Sequence, residues 1–366
     1  MVRSSASAGA QTSAGSDAAA TSASGAGSEA GLRARPGFIP LLAGLLLLGI
    51  VVALQIGSVP IAARDVLGAL GVGTTDETTR AIILEVRFPR IVLSVIVGAG
   101  LAAAGTVFQG IFRNPMADPY IIGVSAGAAL GATVAIVSGL TFAVAGVGAI
   151  TVLAFAGALG VTLLVYRLAW ARGEAGVEHL LLAGIAVGAF LGAIISALQL
   201  FGGESLQQVI FWLMGGFSGR TWEHVRVAAP YVAVGYLLAR LLARDLNLMV
   251  MGDETARALG VPVARSRVLL IMAGSLMAAA AVAVSGLIGF VGLVVPHLMR
   301  LLTGPDHRRL LPAAALAGGL ILLLADTIAR AAIPPADVPV GIVTAALGAP
   351  FFLYLLRRHR QRTFWR

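Results

Sequence analysis

Gly37-Phe38-Ile39-Pro40-Leu41-Leu42-Ala43-Gly44-Leu45-Leu46-Leu47-Leu48-Gly49-Ile50-Val51-Val52-Ala53-Leu54-Gln55-Ile56 contains no charged residue. A helix crosses the hydrocarbon core of a bilayer in about 20 apolar residues, so this stretch reads as a membrane span. Nine more apolar runs follow it. They are Ile91–Phe112, Tyr120–Val137, Val144–Arg167, Leu180–Phe201, Val225–Ala243, Val268–Val284, Ile288–Leu301, Leu311–Ala329 and Val338–Leu356. The longer connections are Gly57–Arg90, Gly202–His224 and Arg244–Arg267. The eighth run is short, and Ser285–Gly292 beside it is Gly-rich enough to break or bend a helix. The fold class expected is therefore all-α and polytopic, with about ten transmembrane helices over residues 37–356. Residues 1–36 are rich in Ser, Ala and Gly and poor in large apolar residues, which predicts a disordered tail. Residues 357–366 form a short basic C-terminal tail.

Composition supports this reading and removes others. Of the 366 residues, 58% are apolar and 12% charged, and the mean hydropathy is +0.93. Soluble domains carry about twice that charge, so the chain cannot clothe a water-facing surface. Ten spans with short loops also leave no room for a soluble catalytic domain. The 46 Gly residues favour close helix–helix contact in lipid. There is no Cys, which removes disulfides, thiolate metal sites and a Cys nucleophile. All 26 basic residues are Arg. A phosphate-binding P-loop needs a Lys, so any ATP that drives this protein is bound by another subunit.

Arg in the loops sets the orientation. With both termini inside, the inner segments hold Arg172, Arg244, Arg257, Arg265, Arg267, Arg308, Arg309 and the basic C-terminus. The outer loops hold Arg64, Arg80, Arg87, Arg90, Arg220 and Arg330. Arg90 opens a run through Gly100-Leu101-Ala102-Ala103-Ala104, and Arg267 opens one through Ser275-Leu276-Met277-Ala278-Ala279-Ala280. The two cross in opposite senses, which fits either an inverted repeat or shared Ala-rich composition.

Four segments carry local information. Gln109–Pro119 places two Pro around a polar turn, with Asn114 and Asp118 available to cap the next helix. Gly286–Arg300 sets His297 and Arg300 one helical turn apart near an inner end, and His297 reads as a structural residue before a proton carrier. Gly252-Asp253-Glu254-Thr255-Ala256-Arg257-Ala258-Leu259-Gly260 begins with acids and ends on Gly, with Pro262 beyond, the start and stop signals of a short helix. That helix is either a solvated surface element or a docking helix for a cytoplasmic partner. The outer residues Arg87, Arg90 and Arg330 are either interface anchors or receptors for carboxylates on an external partner. Asp326 is the main charge inside a span and lies at i, i+4 from Arg330. Such scarcity of intramembrane charge weakens an ion-coupled secondary carrier. A receptor that docks an external protein but moves nothing is a further alternative. No catalytic set and no metal-ligating set is assigned.

Taken in order, these segments resemble the FecCD-like permeases of ABC importers for iron–siderophore, haem and cobalamin. The matching pieces are Arg87–Arg90, Gln109–Pro119 running on to Ala128, Leu180–Gly184, Phe211–Gly216, Gly252–Gly260, Gly286–Arg300, Gly304–Arg308, Asp326–Arg330, and Pro339–Thr344 with Gly348–Phe352. The resemblance implies a type II importer permease that is not itself an enzyme, in the inner (plasma) membrane of a prokaryote. It implies a second permease subunit, expected to be a copy of this chain, two cytoplasmic ATPase subunits and an extracytoplasmic substrate-binding protein. Lipid surrounds the subunit, and no nucleic acid is involved. No cofactor is expected in this chain; ATP and Mg belong to the partner ATPase. The expected cargo is an iron–siderophore complex, with haem and cobalamin as alternatives. Gly252–Gly260 corresponds to the ATPase-coupling helix, and Arg87, Arg90 and Arg330 to residues that dock the binding protein. Span five, from Leu180, corresponds to the wall of the central path. Val177 and Glu178 fall where the family has an inner gate, although relatives often carry small hydroxyl residues there.

Overall fold

The computed structural model describes residues 37–57, 59–170, 177–334 and 336–359. The tail predicted over residues 1–36 lies outside the described residues, as do residues 360–366. Fifteen α-helices account for nearly all of the regular structure among the described residues. They are α1 (Phe38–Gln55), α2 (Ala63–Ala69), α3 (Glu77–Ala81), α4 (Phe88–Ile111), α5 (Val124–Val137), α6 (Ala149–Trp170), α7 (Val177–Phe201), α8 (Leu206–Leu213), α9 (Trp222–Leu241), α10 (Ala243–Val250), α11 (Asp253–Ala258), α12 (Val263–Ser285), α13 (Val291–Thr303), α14 (His307–Ala332) and α15 (Val340–His359). A minimal hairpin, Ala143–Val144 against Val147–Gly148, precedes α6. A π-type turn over Ile82–Arg87 runs straight into α4.

Each apolar run of the sequence is occupied by one of these helices. Six are long and apolar enough to cross a membrane. The pair α9 and α10, bent by 57°, passes the same test when taken together. Three shorter apolar helices, α5, α13 and α15, fill the remaining runs. The break expected near Ser285–Gly292 occurs where α12 stops, with Gly286 at φ 70° and Phe290 at φ 69°. One local expectation is corrected. Asn114 and Asp118 do not cap α5; Gly123, at φ 85°, does so without a side-chain bond. Asn114 Oδ1 instead accepts from Met116 N at 2.9 Å and Asp118 Oδ1 from Tyr120 N at 2.8 Å. Both side chains close turns within the connection, because the two Pro hold the chain out of helix there.

Helices α4 and α12 lie at the centre. In each, 78% of the most apolar window is buried inside the protein, against 17% for α1 and 22% for α7. Close contact at the centre depends on missing side chains. A Cβ on Gly98 of α4 would stand 2.3 Å from the Gly318 carbonyl of α14. One on Gly105 would stand 1.8 Å from the Gly292 carbonyl of α13. Such contacts let backbones meet where lipid offers no hydrophobic drive to association.

Candidate functional site

Helix α4 carries charge at both ends, and the two ends differ. At the Arg87 end, Asp326 of α14 is fully buried. Arg90 grips it with Nε at 3.1 Å from Oδ2 and Nη2 at 2.9 Å from Oδ1. Arg330, one turn along α14, adds an ion pair at 3.2 Å. Arg90 Nη1 also donates to Asp337 Oδ2 at 2.8 Å, and that carboxylate is 38% exposed. Arg87 closes the group from the other side. Its guanidinium donates to the carbonyls of Leu54, at 2.9 Å, and of Val59. Arg330 Nη1 donates to the Ile56 carbonyl at 3.2 Å. Arg87 and Arg330 thus satisfy carbonyls at the C-terminal end of α1, which an ending helix leaves unpaired. The three Arg singled out from the sequence are therefore brought together, and each guanidinium has partners within the chain. Beside them lies a cavity of about 310 Å³ whose lining includes Arg90, Trp212, Arg220 and Asp337.

At the Arg113 end the charges are wetter. The Gly252–Gly260 segment forms α11, with Gly252 at φ 128° and Gly260 at φ 81° supplying the turns at its ends. These positive φ values favour glycine. Ala256 faces inward and is buried, whereas Glu254, Thr255, Arg257, Ala258 and Leu259 are exposed, Leu259 at 56%. Asp253, the first residue of α11, pairs with Arg113 and with Arg267 of α12. Arg113 Nε also donates to the Met249 carbonyl of α10 at 3.0 Å. Arg113 does this from a left-handed backbone, φ 47°. Burial alone would raise the Asp253 carboxyl, but the charges of Arg267, Arg113 and Arg257 outweigh it and hold the group below its ordinary value of 3.8.

Further contacts at this end were not visible in the sequence. Asn247 Nδ2 of α10 donates to Asp306 Oδ1 at 2.6 Å, and His307 N donates to Asn247 Oδ1 at 2.9 Å. Asp306 also caps α14 by accepting from Arg308 N at 3.0 Å. Ser266 of α12 donates to Asp245 of α10 at 2.8 Å. Gln109 Nε2 of α4 donates to the Leu293 carbonyl of α13 at 3.0 Å. The only local signal was the Asp306 cap before an apolar run. Glu178 is exposed in the first turn of α7. Val177 opens α7, and its side chain lies outside the described residues. Among the described residues no group of three or more His, Asp or Glu side chains is placed to hold a metal ion.

Comparison with known proteins bears on this arrangement. The FecCD transport family matches residues 45–358. The cobalamin import system permease of Halobacterium salinarum is 49% identical over 286 residues, covering 78% of this chain and 76% of that protein. The hemin transport system permease of Yersinia pestis is 42% identical over 331 residues, covering 89% and 96%. A solved structure described as a metal-chelate type ABC transporter in an inward-facing conformation superposes with a TM-score of 0.78 at 35% identity, covering 88% of this chain and all of that one.

Proposed function

The chain belongs to the FecCD transport family as an ABC importer permease, and from that premise we propose that it moves a metal held in a large organic ligand into the cell, driven by ATP hydrolysis in partner subunits. The observation that carries this reading is α11. It stands between the bent α9–α10 pair and α12, outside the apolar spans, and presents Leu259 and Arg257 to the surroundings. An isolated helix of this length is unstable in water, so its burial on one side and exposure on the other fit a docking element. We assign it as the coupling helix for an ATPase that binds ATP and Mg, a task this Lys-free chain cannot perform itself.

The cargo class follows from the relatives and from size. The two relatives are named for cobalamin and hemin, and the sequence resemblance points to a ferric siderophore. All three are bulky metal complexes. Two apolar cavities within the subunit, about 460 Å³ and 370 Å³, lie at the low end for binding even drug-sized ligands. Such a cargo passes between two permease subunits, and we propose a second copy of this chain as the partner. The side of α7 that exposes Leu182, Ile185 and Phe190 suits the wall between them. Val177 and Glu178, at the start of that helix, take the place of the inner gate. The external binding protein docks at the Arg87 end, where Arg90 is the reachable member through Asp337 and where Arg87 and Arg330 hold the surface in shape.

Uptake into vesicles tests this reading. The complex is reconstituted with the ATPase and binding protein of the same gene cluster and offered ferric siderophore, haem and cobalamin in parallel. ATP-dependent accumulation of one of them is the expected result. Uptake that ignores ATP and follows an ion gradient would overturn it in favour of a secondary carrier.

A further inference from the structure

We propose that Asp253 is a positioning residue for energy coupling, an ionic bracket that joins α11 to the two most buried spans. The proposal rests on α11 being the coupling helix.

The argument starts from what could hold α11 in place. Its own contacts are few: one buried Ala, and Val261 and Val263 just after it. The backbone at both ends is glycine, which resists rotation poorly. A push on the exposed side of so short an element would be absorbed by bending at Gly252 and Gly260 unless something stiff crosses the hinge. The Asp253 carboxylate crosses it. One oxygen takes Arg113, which follows the end of α4, and the other takes Arg267, inside α12. These contacts lead to α4 and α12, whose interiors are the core of the protein, rather than to α1 or α7 at its edge.

Arg113 is the more telling half. It is one of three non-glycine residues with positive φ among the described residues. A non-glycine residue in the left-handed region is strained by about 1 kcal/mol or more, and such strain persists only where surrounding contacts enforce it. Arg113 is enforced from the α10–α11 side, by the Met249 carbonyl and the Asp253 carboxylate. The end of α4 is thus shaped by the element it would have to follow.

The bracket is also only partly buried, with side-chain exposures of 41% for Arg113, 28% for Asp253 and 15% for Arg267. Partly solvated ion pairs contribute little to stability. A bracket of modest strength and fixed direction fits transmission of movement better than it fits holding the fold together.

The test uses the complete transporter in vesicles and reads cargo moved per ATP hydrolysed. Asp253→Asn is expected to retain ATPase subunits at the wild-type ratio and to keep hydrolysing ATP. Transport per ATP should fall by roughly 2- to 30-fold, the range over which mutations in a coupling network act. Asp253→Glu, which keeps the charge, should recover most of it. Arg113→Gln and Arg267→Gln should each reproduce part of the loss, and either combined with Asp253→Asn should add little. Wild-type transport per ATP in Asp253→Asn would overturn the proposal, as would loss of ATPase capture in that variant, which would make Asp253 part of the docking surface. Leu259→Asp separates the two readings. If it leaves ATPase capture intact, α11 is not the coupling helix. If it blocks capture while Asp253→Asn transports normally, the helix assignment stands and the bracket alone fails.

Discussion

The two ends of α4 solve the same problem, an Arg–Asp cluster at a membrane boundary, in opposite ways. At the Arg87 end the carboxylate is fully buried and shared by Arg90 and Arg330. At the Arg113 end the Asp253 carboxylate is shared by Arg113 and Arg267 but sits part-way in water. Burial decides what each cluster does. A buried carboxylate cannot be left without partners, so the first cluster fixes the relation of α1, α4 and α14. The second is part-solvated and adds little to the stability of the fold, so its use lies in fixing the direction of α11 against α4 and α12.

The largest effect expected of a single change lies at the buried end. Asp326→Asn takes the paired carboxylate from Arg330 and leaves Arg90 with Asp337 alone, and should cost about 3–5 kcal/mol. Thermal unfolding in detergent checks this; a shift as small as that of a surface variant would break the contrast between the ends. Next is Gly105→Ala in the middle of α4. Its Cβ would meet the Gly292 carbonyl at 1.8 Å, so α13 must move away, at about 1–3 kcal/mol by the usual cost of overpacking. Wild-type unfolding behaviour there would show that the seam is looser than the contacts imply. Asp253→Asn should cost less than about 1 kcal/mol of stability, because its partners are partly solvated. A larger loss would make the bracket structural.

The smallest effects sharpen the comparison without mutation. Raising salt from 0.1 M to 1 M shortens the screening length from about 10 Å to about 3 Å. Amide exchange should quicken in α10 and α11 and stay unchanged around Asp326. Acid should act in the same place. The Asp253 carboxyl is held below its ordinary 3.8 in the folded protein, so its stabilisation is present above that value and lost as pH falls below it. Loosening of α11 amides only below about pH 4 is the expected outcome. Loosening near pH 6 would point to another group.

Much of this architecture was legible in the chain. The ten apolar runs place the ten helical regions to within a few residues, because a span must satisfy its backbone within itself and so announces itself locally. Start and stop residues located α11 for the same reason, and the i, i+4 spacing gave Asp326–Arg330. The pairing of Arg90 with Asp326, 236 residues away, has no local signature. Neither has the reach of Arg113 to Asp253, nor that of Asn247 to Asp306. These depend on which helices become neighbours, and glycine seams such as Gly98 with Gly318 set that. The loop pattern predicts Arg87, Arg90 and Arg330 on one side of the membrane, and the structure brings the three together. The pattern did not show that α1 ends among them and occupies two of the three.

The seam between α4 and α14 has one more consequence. Helices usually keep their register because side chains interlock like gear teeth. Around Gly98, Ala102, Gly318 and Gly319 the contact is mostly backbone against backbone, with Val95 and Leu322 the larger side chains at its margin. In mechanical terms the middle of the contact is a bearing: it keeps the two rods close while offering little friction along their length. What limits their sliding is then the charged stop near one end, where Arg90 of α4 grips Asp326 of α14.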